Sequence, residues 1–171
     1  EVVHRYFAAT LGFFAIVLTY LSFKQNENKK IRYWAVGLLI FICCQGLFGY
    51  LTVSLKLLPI IVTGHLFGGF TTLTLFFFIY LMAGNFELLN KMKIPKLKFI
   101  AGLAFFVLII QIFLGVWTST NYASLACADF PTCQGTYLPE MDFKNGFNLN
   151  QEVGPNYLYG LLDNPSRVAV H

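Results

Sequence analysis

The sequence predicts an all-α, polytopic membrane helix bundle: four transmembrane helices, the start of a fifth and one long outer loop. Three observations predict it. Of the 171 residues, 57% are hydrophobic and only 12% charged, about half the charge of an ordinary soluble domain. Four apolar runs each reach the roughly 20 residues a helix needs to cross a bilayer: Val2 to Phe23, Tyr33 to Leu55, Ile60 to Ala83 and Phe99 to Thr118. None alternates with period two, so barrel strands are excluded and the backbone must satisfy itself within helices. The net charge is only +4, and the 19 Phe gather in apolar runs rather than among basic residues. Disordered, coiled-coil and nucleic-acid-binding readings fall away on these grounds.

The basic residues order the elements across the membrane. Lys24, Lys29, Lys30 and Arg32 sit between the first two runs, and Lys91, Lys93, Lys96 and Lys98 between the third and fourth. Positive loops face inward, so both belong on the cytoplasmic or matrix side of a bacterial plasma membrane or mitochondrial inner membrane. The opposite side then carries the short turn at Lys56 to Pro59 and the segment from Ser119 to Asn164. That segment holds Asp129, Glu140, Asp142, Glu152 and Asp163 against a single Lys144. It is too polar to span, and loops this long are usually functional or disordered. The expected organisation is a four-helix bundle over residues 1–118, a cap over residues 119–164 and the start of the next helix over residues 165–171. Asn164 is the expected cap of that helix, with Pro165 suited to its first turn. The absence of an initial Met and the helix beginning near the end suggest an internal segment of a longer chain.

Four cysteines divide into two kinds. Cys43 and Cys44 are adjacent in the second run, point in different directions on a helix and read as small buried apolar residues. Cys127 and Cys133 lie in CADFPTC within the long loop. In an oxidising compartment a disulfide is expected there. The rival, a metal site, has no His nearby, and zinc wants four ligands. The C-x-x-C-H of covalent haem attachment is absent.

Three histidines remain. His4 stands near the outer start of the first span and His65 near the outer start of the third. Both spans run in the same direction, so the two imidazoles lie at similar depth, and alternate helices of a bundle face each other across its core. Two His so placed can ligate a haem iron from both sides. On helical spacing His4 shares a face with Ala8 and Gly12, and His65 with Gly68, Gly69 and Thr72, which leaves room for a flat macrocycle. The competing account is helix packing on small residues with the His hydrogen-bonded across helices. Glu1, one turn before His4, either orients an imidazole or handles a proton, or is a solvated helix-start carboxylate. Arg5 and Lys56 at the outer rim either pair with haem propionates or snorkel to headgroups. His171 is uninformative alone. Gln45-x3-Gly49-x2-Thr52 is echoed by Gln111-x3-Gly115-x2-Thr118. Phosphate loops, dinucleotide fingerprints, hydrolase elbows and HExxH are absent.

Three stretches together resemble the heme A synthase family: EVVHR at residues 1–5, CQGLFGYLTVSLKLLPIIVTGHLFGG at 44–69, and QIFLGVWTSTNYASLACADFPTCQG at 111–135, followed by PEMDF. The resemblance implies an eight-helix protein in two similar halves, with this chain at the second to fifth helices. It implies oxidation of the C8 methyl of heme O to the formyl of heme A for cytochrome oxidase biogenesis. His4 and His65 match the His pair of the substrate or product haem, Glu1 an acidic residue implicated in turnover, and Cys127 and Cys133 a disulfide pair. Arg5 is the expected cationic partner of that haem. A haem b cofactor would belong to the other half, mostly outside this chain. The family's HxxHR pattern makes His171 the first His, which leaves it out of the ligand set. Heme O synthase, an electron donor and a second copy of the chain are the implied partners besides the bilayer. Two other readings compete: a bis-His b-type haem electron-transfer protein, and a non-haem scaffold that uses His and Gly for packing.

Overall fold

The computed structural model describes residues 2–25, 29–84, 95–155 and 160–171. Its elements are helices throughout: α1 (Val2–Lys24), α2 (Lys29–Ser54), α3 (Pro59–Ala83), α4 (Pro95–Thr120), the single turn α5 (Phe143–Gly146) and α6 (Asn164–Val170). Among the described residues the nearest thing to a strand is one isolated bridge between Cys133 and Thr136. The four long helices are apolar and long enough to cross a membrane. At 23 to 26 residues each, they run about 35–39 Å at 1.5 Å per residue. That exceeds the hydrocarbon thickness of about 30 Å. They are apolar on all sides rather than along one stripe, because lipid covers what protein does not. Phe99 and Phe105 of α4 are 74% and 63% exposed for that reason. The chain is an all-α integral membrane protein.

The helices overrun the apolar runs at their basic ends. Lys29, Lys30 and Arg32 lie within α2, and Lys96 and Lys98 within α4, where the sequence suggested loops. A helix keeps its hydrogen-bond ladder in the interface, and long cationic side chains reach water from there. Lys91 and Lys93 lie outside the described residues.

The chain forms two compact units. The first takes residues 1–50 and 65–93. Its α1–α2 seam closes on small residues: Ala15 and Ala35 are both fully buried. The hydroxyl of Thr19 donates to the carbonyls of Ala15 (2.8 Å) and Ala35 (3.2 Å). Between α2 and α3, Trp34 meets Phe78 edge to face at 5.0 Å. The Arg32 guanidinium lies 4.8 Å above the Phe23 ring.

The second unit takes residues 51–64 and 94–171. Two of its helix ends close alike. Leu57 N–H donates to the Thr52 carbonyl and Lys56 N–H to that of Val53; Ala123 repeats this on Thr118, and Tyr122 on Ser119. This is the Schellman closure, which satisfies orphan carbonyls and needs a left-handed residue. Lys56 (φ 50°) and Tyr122 (φ 55°) supply it here without glycine. Pro59 then opens α3, where its missing N–H costs nothing.

The long loop folds against the end of α4. Trp117 is fully buried with Ala123, Leu162 and Val170, and Phe113 and Phe147 pack beside them. Its indole N–H donates to the Gly146 carbonyl at 2.9 Å. Asp142 caps α5 through the Asn145 N–H. The cap of α6 is Asp163, whose carboxylate accepts from Ser166 N–H at 3.2 Å. The sequence had pointed to Asn164, but its amide is committed elsewhere, to the Gln134 side chain. Pro165 does fall in the first turn.

Gly146 is where α5 and α6 meet most closely. A Cβ there would lie 2.8 Å from the Ser166 carbonyl oxygen and 3.0 Å from Val170 Cγ2. Gly146→Ala should therefore destabilise the folded loop by about 1–3 kcal/mol through overpacking. Earlier proteolysis of the loop on heating, relative to the unchanged protein, is the expected result.

Candidate functional site

Of the residues the sequence singled out, the structure brings His4 and His65 together. His4 occupies the first turn of α1, and His65 the second turn of α3. Their ring centroids are 6.3 Å apart and their planes cross at 82°. Two metal–nitrogen bonds of about 2 Å, each in line with its imidazole, put ring centres about 6 Å apart. The spacing therefore suits one metal shared between the rings.

His65 stands on a seat made by α2. A Cβ on Gly49 would come within 3.3 Å of its Cε1 and 3.7 Å of its Nε2. The relation is reciprocal one turn away: the Gln45 side chain of α2 fills the hollow over Gly68 of α3, where a Cβ would meet its Oε1 at 2.7 Å. A larger residue at Gly49 or Gly68 would displace the opposing side chain. Two polar atoms are left over in this seam. His65 Nδ1 and Gln45 Oε1 are both shielded from solvent and have no hydrogen-bond partner. A histidine used only to glue helices would spend that nitrogen on a neighbouring helix.

The remaining predicted residues are placed as follows. Arg5 follows His4 on α1, and Glu1 lies outside the described residues. The Lys56 ammonium donates to the Pro155 carbonyl at 2.9 Å, so it ties the α2–α3 turn to the long loop. His171 Nδ1 lies 3.0 Å from the Ala123 carbonyl. Cys43 and Cys44 are free and exposed rather than buried, because their side of α2 faces outward. Among the described residues no three His, Cys, Asp or Glu cluster into a metal site. The two copies of the Gln–Gly pattern differ in their surroundings among the described residues: Gly49 meets His65, whereas a Cβ on Gly115 would meet nothing within 4 Å.

Cys127 and Cys133 are joined by a disulfide. Inside the small loop it closes, Asp129 organises the backbone. Its carboxylate accepts from the Thr132 hydroxyl, from Gln134 N–H at 2.7 Å and from Gly135 N–H at 2.9 Å. Gln134 and Gly135 are both left-handed, which turns consecutive N–H groups toward one oxygen pair. Gln134 also donates to the Ala126 carbonyl and pairs amide to amide with Asn164. The loop is further fastened by Gln151 on the buried Asn121 (2.9 Å) and by Arg167 on the Leu162 carbonyl (2.9 Å). Sequence inspection missed the Asp129 clamp, the Gln134–Asn164 pair and the Gly49 seat. Only the Gln–Gly pattern had marked the last of these.

Fold and site together define a polytopic helical membrane protein with a paired-histidine seat between its spans. Within that class the chain belongs to the COX15-CtaA family, cytochrome oxidase assembly protein, whose family model matches residues 1–166. Curated relatives agree. The heme A synthase of Shewanella oneidensis is 36% identical over 173 residues, covering 100% of this chain and 52% of the relative. That of Shouchella clausii is 29% identical over 148 residues, covering 82% and 48%. That of Halalkalibacterium halodurans is 26% identical over 169 residues, covering 95% and 56%. The chain thus spans about half the length of the curated relatives it matches. Among solved structures there is no significant match.

Two predictions concern the disulfide loop. The hydroxyl of Thr132, then the N–H groups of Gly135 and Gln134, hold the Asp129 carboxyl below the usual carboxylate range. Ser166, whose N–H donates to the carboxylate at 3.2 Å, does the same for Asp163. Such groups stabilise the fold above the ordinary carboxylate pKa of about 4 and lose that contribution as pH falls through the lower folded value. Protection of the amides across residues 126–136, taken relative to their intrinsic exchange rate at each pH, should therefore fall on acidification below about pH 4, and Asp129→Asn should show low protection already at neutral pH. Reducing Cys127–Cys133 should speed exchange in that stretch while residues 143–151 stay protected, because Trp117 and Asn121 fasten them independently.

Proposed function

We propose that this chain is the haem-substrate half of a heme A synthase, which oxidises the C8 methyl of heme O to the formyl group of heme A. The observation that carries it is the His4–His65 pair, 6.3 Å between ring centres, on a family match over residues 1–166. In this reading the two imidazoles take the iron of the bound haem from opposite faces and fix the porphyrin between α1 and α3. Gly49, having no side chain, leaves room on α2 for the His65 ring. Arg5 offers its guanidinium to a propionate carboxylate. The chemistry balances as two hydroxylations of the methyl group, each consuming dioxygen, two electrons from an external donor and two protons and releasing one water, to an aldehyde hydrate that loses water to the formyl group. Glu1, three residues before His4 in the sequence, is the group we assign to accepting a proton at that edge.

The same reading sets the surroundings. The Lys-rich ends face the cytoplasm or matrix, and residues 119–164 form a cap on the opposite side, where the disulfide is stable. A haem b cofactor is assigned to residues beyond this segment, with an electron donor and heme O synthase as functional partners and a homo-oligomer as the assembly.

The test uses the full-length protein purified from its membrane. His65→Ala should abolish both the low-spin haem spectrum of this half and heme A formation. Glu1→Gln should keep bound haem and lower heme A formation at least about a hundredfold, the lower end of what general acid–base groups contribute. A Glu1→Gln protein with full turnover would remove Glu1 from the reaction. Reversible low-spin haem with no heme O or heme A ever extracted would instead favour a b-type electron-transfer protein.

A further inference from the structure

The seam between α2 and α3 contains an acceptor and a donor that lack each other. Gln45 and Gly49 are one turn apart on α2, and His65 and Gly68 about one turn apart on α3. Because the Gln45 amide sits over Gly68 and the His65 ring against Gly49, the amide and the imidazole are neighbours along one line. Their stagger is about one helical turn, about 5.4 Å. Gln45 Oε1 and His65 Nδ1 are both buried and both unpartnered.

That is a costly arrangement unless it is used. Leaving a buried amide oxygen unsatisfied costs about 1–3 kcal/mol. A Leu or Met would fill the hollow over Gly68 as well without that cost. A metal-bound imidazole, by contrast, nearly always donates its second ring N–H to an oxygen acceptor, which fixes its tautomer and raises its basicity. We infer that Gln45 is the positioning residue of His65: its Oε1 accepts the Nδ1–H hydrogen bond when Nε2 of His65 ligates the haem iron. Rotation of the flexible Gln side chain out of the Gly68 hollow, along the seam, brings the two atoms together. This inference rests on the reading of His65 as a haem ligand, and it adds a residue that sets how tightly and at what potential that haem is held.

Two variants of the full-length, haem-containing protein test it. Gln45→Leu retains the bulk over Gly68 and removes the acceptor. It should release haem to a scavenging apoprotein about 10- to 100-fold faster, the usual effect of losing such a partner. The midpoint potential of the remaining haem should move positive, since a less basic imidazole favours ferric iron less. Gln45→Glu restores an acceptor, so haem retention should recover and the potential should move below that of the unchanged protein. A packing role alone would not move the potential in opposite directions in the two variants. If Gln45→Leu keeps the unchanged release rate and potential while His65→Ala has lost its haem, the inference is overturned and the ligand reading stands. Failure of Gln45→Glu to restore retention overturns it as well. Haem retained in His65→Ala would remove the ligand reading and this inference with it.

Discussion

The structure depends on how closely α2 can approach α3. In lipid, apolar side chains gain nothing by leaving the solvent, so helices associate where small residues let backbones come near and polar side chains find a place. Gly49 and Gly68 provide two such places, and each receives a polar side chain from the opposite helix: His65 on one, Gln45 on the other. The exchange holds α3 in a fixed rotation about its own axis. That rotation in turn presents the His65 ring to His4 at 6.3 Å. A side chain on Gly49 would press on the His65 ring, and one on Gly68 on the Gln45 amide.

The loop beyond α4 obeys a different physics. It has an aqueous face, and its core is built on one large side chain. Trp117 is buried on all sides and its one polar atom is satisfied by the Gly146 carbonyl. An indole N–H left unpaired in that position would have cost about as much as the packing gained. Around it, single hydrogen bonds from Gln151, Arg167 and Lys56 fasten separate stretches of chain. The disulfide and the Asp129 clamp close a small independent knot among these fastenings. The consequence is a loop whose parts do not all stand or fall together.

Much of this was legible in the sequence for a physical reason. A membrane span declares itself by length and composition alone, so all four were found, with ends misplaced only where Lys29 and Lys96 prolong helices into the interface. The opposed histidines followed from topology, since α1 and α3 run in the same direction. Side-chain assignments that depend on geometry were harder. Asn164 and Asp163 are both good caps, and only the pairing of Asn164 with Gln134 decides between them. Cys43 and Cys44 look like core residues in a row of apolar letters, and nothing local says which side of α2 meets lipid. The Gln–Gly pattern appeared twice, and among the described residues the copy at Gln45 and Gly49 is the one that meets a facing helix.

Burial inside a membrane protein makes polar atoms informative in a way they are not at a wet surface. Water supplies a partner for any exposed amide or imidazole, so an unpaired one there means little. In the α2–α3 seam no such supply exists, and Gln45 Oε1 and His65 Nδ1 stand unpaired within about a turn of each other. Their proximity argues against a shared packing role, which any pair of apolar residues would fill at lower cost. It argues for a state in which the histidine's other nitrogen is engaged and the Gln45 amide has turned along the seam to meet Nδ1. On the proposed reading, the pair at 6.3 Å and the two unpaired atoms behind it are parts of one device, in which His4 and His65 would set where the iron lies and Gln45 how strongly His65 holds it.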